Sequence, residues 1–217
     1  NVSRSSQEVL FSLLHYINNN EVLNNEDLLL IDAGCEFGLY ASDITRTFPV
    51  NGSFSRAQKD VYHIVLEAQK KAMNESRPGN TLTHNHDAAT KVLVQGLLDL
   101  KVLEGSLQEH LEKQSFKDYW PHGTGHWLGL DVHDNSPYIN EEKSDIVFEE
   151  GMVFTIEPGL YLPLEDQKVP EELRGIGIRI EDDILITNTG HEVLTDEVPK
   201  EIEAVEEACQ KNYRDFL

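Results

Sequence analysis

Basic residues are scarce in this chain. Lys and Arg number 18 against 39 Asp and Glu, a formal charge of −21 over 217 residues. A phosphate backbone is held by clustered cations, so nucleic acid is excluded as a partner, and an anionic membrane surface with it. Cysteine is scarcer still, with only Cys35 and Cys209. No CxxC pair is present, which excludes a zinc ribbon, and two thiols so far apart make no disulfide framework. A reducing compartment follows, with the cytoplasm as the expectation; a mitochondrial destination stays open, because a removed transit peptide leaves no trace. No apolar run approaches the roughly 20 residues of a transmembrane span. The polar start, Asn1 to Glu8, lacks the apolar core of a signal peptide. Low-complexity and Pro/Ser-rich linker segments are also missing, so residues 1–217 read as one domain.

Hydrophobic residues, at 39%, are numerous enough to build a core under an acidic, well-solvated surface. Leu28 to Ile31 reads as a buried strand stopped by Asp32-Ala33-Gly34. The β-branched stretch from Ser42 to Val50 reads as a second strand, closed by Asn51-Gly52. Ser55 is placed to cap a helix carrying Val61, Ile64, Val65, Ala68 and Ala72 at helical spacing, ended by Arg77-Pro78-Gly79-Asn80. A second helix is predicted from Asp87 to about Leu100, with Val92, Leu93, Leu97 and Leu100 inward. Strands are predicted at Trp127 to Val132, Met152 to Ile156, Ile176 to Ile180 and Ile184 to Thr187, and a last helix at Glu201 to Asn212. Leu111 to Trp120 is too polar to assign, and Leu162 to Leu173, with two prolines and four acids, reads as a surface loop. Strands, then two helices, then strands suggest an α+β fold.

Four places hold potential ligands. Asp32 and Asp43 lie eleven residues apart, and a hairpin of their two strands would bring both carboxylates to one face. From Pro121 to Asp134 three histidines, His122, His126 and His133, fall among glycines; a neutral imidazole binds metal or moves protons near neutral pH. Glu157 directly follows an apolar strand, where a carboxylate is costly unless paired or bound to a cation. In Arg179-Ile180-Glu181, strand alternation puts Arg179 and Glu181 on one face, where they could form an ordinary ion pair. Four carboxylates with one imidazole make a hard, oxygen-rich donor set that suits Mn²⁺, with Co²⁺, Fe²⁺ or Zn²⁺ as alternatives. Two such ions about 3.5–4 Å apart would share a hydroxide nucleophile.

These motifs, in this order and spacing, resemble the pita-bread metallopeptidases. The matching pieces are Asp32-Ala33-Gly34, Ser42-Asp43-Ile44-Thr45-Arg46-Thr47, His122-Gly123-Thr124-Gly125-His126, Asp131-Val132-His133-Asp134, Glu157-Pro158-Gly159 and Arg179-Ile180-Glu181-Asp182-Asp183. Arg174-Gly175-Ile176-Gly177-Ile178-Arg179 and the acidic loop before it are most similar to aminopeptidase P, the Xaa-Pro aminopeptidases. The resemblance implies a curved, mostly antiparallel sheet covered by helices. It implies two divalent ions: Asp32 on one, Asp43 and Glu181 bridging both, His126 and Glu157 completing the second. It implies that His122 and His133 flank the substrate and stabilise developing charge, that Glu157 also shuttles the proton, and that Arg179 orients carboxylate ligands. His15 sits where the family has a histidine lining the proline pocket. The implied substrate is a peptide with proline in the second position, whose tertiary amide has no N–H.

Two departures accompany the resemblance. The separate N-terminal domain of the family has no counterpart here, and only fourteen residues precede His15, so the first half of the pita-bread fold is expected to be shortened. Surface left uncovered in this way would favour self-association into a homo-oligomer. Prolidase, which uses the same ligands on Xaa-Pro dipeptides, is the near alternative. Methionine aminopeptidase is not matched in its pocket motifs. A pita-bread protein that has lost catalysis and serves as a binding module is the alternative of another class. His63, His84, His86, His110 and His191 match no site motif and read as surface or structural.

Overall fold

The computed structural model describes residues 2–4 and 22–211. Strand β2 (Leu28–Ala33) buries Leu28 and Leu30. It pairs antiparallel with β5 (Ile44–Pro49), Asp32 opposite Thr45, and on its other edge with β1 (Val2–Arg4). The expected hairpin is therefore present, with a small ribbon of β3 (Glu36–Phe37) and β4 (Tyr40–Ala41) at its tip. Gly34 is required where the two halves of that hairpin meet. A Cβ there would lie 1.7 Å from the Ser42 carbonyl oxygen, so any side chain would push Asp32 and Asp43 apart.

Helix α1 (Arg56–Asn74) starts as expected at Ser55. The Gln58 amide donates to the Ser55 hydroxyl at 3.2 Å and the Ser55 amide donates to Gln58 Oε1 at 2.8 Å, a reciprocal capping box. Val61, Val65, Ala68 and Ala72 are buried, and Ile64 is partly so. Helix α2 (Leu82–Asp99) begins more than a turn before Asp87. Its cap uses a histidine: the Thr81 amide donates to His84 Nδ1 at 3.1 Å, the place Glu or Gln usually fills. Leu93 and Leu97 are fully buried on α2, with Val92 and Leu100 at the margin. The polar segment left unassigned holds α3 (Leu107–Lys113) and a 3-10 turn at Ser115–Asp118.

The second half is again antiparallel. Strands β6 (Val153–Ile156), β9 (Asp182–Ile186) and β10 (His191–Val193) form one sheet in the order β10-β9-β6. Strands β7 (Gly159–Tyr161) and β8 (Gly177–Arg179) form a two-stranded ribbon. Hydrogen bonds stitch β5 to this half: the Glu181 amide donates to the Thr45 carbonyl at 3.0 Å, and the Thr47 hydroxyl donates to the Arg179 carbonyl at 3.0 Å. Helix α4 (Ile202–Gln210) follows, and Asn212, the expected end of that helix, lies outside the described residues. One contiguous buried cluster joins α1, α2 and both sheets. The class is α+β, as expected.

Two expectations fail. Trp127 to Val132 is not a strand; only Trp127 bridges, to Phe154. The chain turns back instead, with the Asp134 amide donating to the Trp127 carbonyl at 3.1 Å. Gly129 permits this, because a Cβ there would lie 2.4 Å from Asp134 Oδ2. The loop Leu162 to Leu173 is not purely a surface loop. Leu162, Val169 and Leu173 are buried, and Asp166 accepts a hydrogen bond from the Tyr119 hydroxyl at 2.9 Å. Among the described residues no helix is long and apolar enough to cross a membrane.

Candidate metal centre

Each carboxylate of the centre stands at or just past a strand end, where the backbone is fixed but the side chain is free to leave the sheet. Asp32 is the last residue but one of β2, Asp43 precedes β5, Glu157 follows β6, and Glu181 lies between β8 and β9. His126 comes from the glycine-flanked loop. Its amide donates to the Thr155 hydroxyl at 3.1 Å, and its carbonyl accepts from the Thr155 amide at 2.9 Å. Gly125 makes this approach possible, since a Cβ there would sit 1.8 Å from the Thr155 carbonyl oxygen. Asp32, Asp43, His126 and Glu157 line a cleft of about 210 Å³ together with His122, His133 and Arg179, and Glu181 is buried beneath it, a donor atom of its carboxylate within 4.8 Å of ones on Asp43 and His126. A larger cavity of about 610 Å³ beside Phe54 and Gln58 contains no histidine, so size alone does not locate the site.

The cluster is acidic and largely buried. His126 Nε2 lies 3.5 Å from Asp43 Oδ2 and 3.6 Å from Glu157 Oε1. One donor atom each from Asp43, His126 and Glu181 fall within 4.8 Å of one another. Arg179 is the permanent cation. Its Nη2 donates to Asp32 Oδ2 at 2.7 Å and its Nε lies 4.0 Å from Glu157 Oε2. The ordinary Arg179–Glu181 ion pair that the sequence left open is not what forms; Asp32 takes the guanidinium, and Glu181 Oε2 accepts from the Thr45 hydroxyl. Asp183, one step outside, accepts from the Asp43 amide at 3.2 Å through Oδ2.

Burial sets the protonation. It pushes Glu157 up to about 7 against the pull of Arg179 and His126. It also pushes Asp183 up to about 7, and Glu181 well above the usual carboxylate range, with Glu157 and Asp43 adding repulsion. Asp32 and Asp43 split in opposite directions. Burial and its neighbour Asp43 hold Asp32 up, although Arg179 draws it down. On Asp43 burial is outweighed by hydrogen bonds to His126 and Asp32, which hold it down. His126 is raised: desolvation opposes its charge, but Asp43 and the Trp127 carbonyl favour it.

Three features of this set fit divalent cations. His126 Nδ1 lies 3.1 Å from the Trp127 carbonyl, which fixes the N–H there and leaves the Nε2 lone pair facing the carboxylates. Glu181 Oε1 and Asp183 Oδ1 are buried with no hydrogen-bond partner among the described residues, an expensive arrangement unless a cation approaches. Asp32, Asp43, Glu157, Glu181 and Asp183, when ionised, outnumber the Arg179 guanidinium and the His126 imidazole beside them, an excess of negative charge that divalent cations would offset.

The remaining sequence-predicted residues fall as follows. His122 is half-buried beside the cluster; its Nδ1 contacts the Gly123 carbonyl at 2.8 Å, so its Nε2 is the acceptor, 2.7 Å from the Tyr161 hydroxyl. His133 is exposed at the cleft, its ring centroid 4.4 Å from that of His126. His15 lies outside the described residues. Trp127 is core, with Nε1 donating to the Pro137 carbonyl at 3.0 Å. Two site residues escaped the sequence reading. The Tyr161 hydroxyl accepts from Arg179 Nη1 at 2.9 Å while donating to His122, which joins the guanidinium to the imidazole. Burial pushes that phenol up to about 12. Thr45 accepts from Arg179 Nε at 3.3 Å and donates to Glu181. Nothing local marks either residue; both are read only once distant strands are assembled. Of the five histidines read as surface or structural, His86 reaches the site's loop, its Nδ1 2.9 Å from the Thr124 hydroxyl.

Fold and donors together define a divalent-metal centre on an antiparallel α+β scaffold. Comparison with known proteins gives the lineage. The model of Metallopeptidase family M24 matches residues 7–188, and the chain belongs to that family. It is 50% identical over 194 residues to the Xaa-Pro aminopeptidase of Haemophilus influenzae, covering 89% of this chain and 44% of that protein. It is 48% identical over 202 residues to the Xaa-Pro aminopeptidase of Escherichia coli, covering 92% and 45%. Among solved structures it is similar to the Pseudomonas aeruginosa aminopeptidase PepP, with a TM-score of 0.89 at 44% identity over 92% of this chain and 46% of that one. It is also similar to the zinc-substituted aminopeptidase P of Escherichia coli in complex with product, with a TM-score of 0.90 at 44% identity over 98% and 48%. The scaffold is the pita-bread fold of these enzymes. The chain spans about half the length of the curated relatives it matches.

Proposed function

We propose that residues 1–217 form a single peptidase domain that hydrolyses the bond between an N-terminal residue and a following proline. The observation that carries this reading is the convergence of Asp32, Asp43, His126 and Glu157 on one cleft, with Glu181 buried against Asp43 and His126, in a chain of a metallopeptidase family. These five residues are assigned to two divalent ions, with Mn²⁺ as the proposed metal because oxygen donors dominate. When bound, the ions would supply Lewis acidity and a water of lowered pKa.

The chain's own groups do the rest. Glu157, its carboxylate in the cleft, takes a proton from the attacking water and returns it to the leaving proline nitrogen, so that one water is added across the bond. His122 and His133, at the rim of the cleft, flank the scissile carbonyl region, and the stabilising of its developing charge is assigned to His133, because both ring nitrogens of His122 are engaged by Gly123 and Tyr161. Tyr161 fixes His122 by donating to Nε2, and Arg179 fixes both Tyr161 and Asp32. His15 is assigned to the proline pocket.

The test is hydrolysis of an Xaa-Pro-Yaa tripeptide and an Xaa-Pro dipeptide by the full chain, with Mn²⁺ and after chelation, with products read by mass spectrometry. Chelator-sensitive release of the first residue from the tripeptide supports the reading. Cleavage of the dipeptide alone would replace it with prolidase chemistry. No cleavage of either by folded, metal-loaded protein would refute it in favour of a binding module.

A further inference from the structure

We infer that Gln69 is a positioning residue for the metal centre, a strut from helix α1 that holds the spacing between Glu157 and Glu181. The inference rests on the metal-centre reading above.

Glu157 and Glu181 arrive on different strands, and the last rung of the ladder between those strands is Ile156 opposite Asp182. Each strand passes from that rung directly to its ligand, Ile156 into Glu157 and Asp182 back into Glu181. A ladder's end is where pairing opens most easily. Gln69, fully buried on α1, reaches this rung and no other. Its Nε2 donates to the Ile156 carbonyl at 3.3 Å and to Asp182 Oδ2 at 3.0 Å. One amide nitrogen therefore ties both strand ends to the same helix.

The same rung is held from the opposite side. Arg46 Nη2 donates to Asp182 Oδ1 at 2.7 Å, and its Nη1 donates to the Glu181 carbonyl. Lys200 Nζ, 3.1 Å from Asp182 Oδ2, completes the charge balance. Arg46 hydrogen-bonds Thr45, the Glu181–Asp182 side and Val198–Pro199; among the described residues the Gln69 amide is the side chain hydrogen-bonded to both strand ends. The orientation of that amide is unambiguous, because both neighbours of the nitrogen are acceptors.

A core-filling role alone does not account for the residue. Gln69 Oε1 is buried with no hydrogen-bond partner among the described residues, a penalty that Met or Leu would avoid in the same space. The position keeps an amide because its nitrogen is needed.

The experiment is a Mn²⁺ titration of the full chain followed by native mass spectrometry, which counts zero, one or two ions, beside thermal unfolding of the metal-free form. Gln69→Met keeps the volume and removes the donor. Gln69→Asn keeps the amide but cannot span both acceptors, and it serves if the Met variant is too unstable to titrate. Tyr62→Phe is the stability control, since it removes a bond from the same helix to the Lys200 carbonyl while leaving both Gln69 bonds and the Lys200 ammonium available to the rung. The expected result is two ions on the wild type and on Tyr62→Phe, and at least about tenfold weaker uptake of the second ion in the Gln69 variants, the scale typical of outer partners of metal ligands. Uptake of both ions within twofold of wild type in the Gln69 variants would overturn the strut while leaving the metal centre intact. So would an equal loss in Tyr62→Phe. Fewer than two ions on the wild type would overturn the metal-centre reading itself, and the strut with it.

Discussion

Stripping the metals should make this protein's stability fall steeply as pH rises, and Asp183 sets the size of the effect. Its carboxyl is buried, one oxygen accepts from the Asp43 amide and the other has no hydrogen-bond partner among the described residues, and burial pushes its pKa up from 3.8 to about 7. Between those values the folded protein holds a proton that the unfolded chain has released. The unfolded state binds fewer protons, so unfolding free energy decreases with pH. The contribution is fully present below 3.8 and is lost as pH rises through 7. Three units at 1.36 kcal/mol each give a loss on the order of 4 kcal/mol. Glu157 and Glu181 titrate in the same direction because burial raises both. Asp43 acts oppositely and weakly, since its pKa is held down.

For a chain of this size about 4 kcal/mol corresponds to roughly 8–16 °C in Tm. The assay is thermal unfolding by far-UV circular dichroism at pH 4.5, 6 and 7.5, on chelated and Mn²⁺-loaded protein. Bound cations favour the ionised carboxylates, so the loaded protein should hold its Tm and the gap between the two forms should widen with pH. A surface of net charge −21 also repels itself more as pH rises. Asp183→Asn separates the two causes: it should flatten the slope of the chelated protein, whereas surface repulsion would barely notice one acid in 39. A Tm of the chelated wild type that is flat or rising from pH 4.5 to 7.5 would refute the burial argument.

Three further outcomes are expected. Tyr161→Phe leaves Arg179 Nη1 and His122 Nε2 without their shared partner; each loss is worth about 1–3 kcal/mol, so kcat on an Xaa-Pro-Yaa tripeptide should fall about 10- to 100-fold with KM little changed, and an unchanged kcat would remove Tyr161 from the working site. Gly125→Ala forces a methyl into the Thr155 carbonyl; a loss of about 3 kcal/mol should appear as a clearly lower Tm together with weaker Mn²⁺ uptake, and wild-type values in calorimetry would show that the loop relaxes. Thr45→Val keeps the shape but strips Glu181 Oε2 and Arg179 Nε of their common hydroxyl; a loss of about 1–3 kcal/mol in the chelated protein at pH 7 is expected from denaturant titration, and an unchanged midpoint would mean that water replaces the hydroxyl.

Legibility in the sequence tracks how local each constraint is. The candidate donors could be picked out because metal chemistry admits few residue types, and because the carboxylates sit at or beside strand ends within short, distinctive motifs. Ser55 was readable as a cap because its partner is three residues away. The start of α2 was not, because His84 does the work usually given to Glu or Gln. Trp127 to Val132 carries apolar residues at strand-like positions, yet the chain reverses there. The deciding fact is the space at Gly129, which only the folded loop defines.

The least legible layer is the one that joins distant pieces. Tyr161 reads as core, and it is core except for a single oxygen. That oxygen matters because β8 brings Arg179 beside it and the histidine loop brings His122, 18 residues later and 39 residues earlier in the chain. Gln69 reads as one polar position in an amphipathic helix until two strand ends meet under it. Both act through partners whose nearness is a property of the tertiary fold alone. Residues of this kind are recognisable by a physical mark that local patterns lack: a buried polar group kept at a cost, with its hydrogen-bonding atoms aimed at the groups that hold the ligands. By that mark Glu181 Oε1 and Asp183 Oδ1, buried and unpartnered among the described residues, point to the same place as the motifs do. Two readings, one from residue spacing and one from unmet hydrogen-bonding capacity, converge on one buried carboxylate cluster, whose charge at neutral pH the proposed cations would offset.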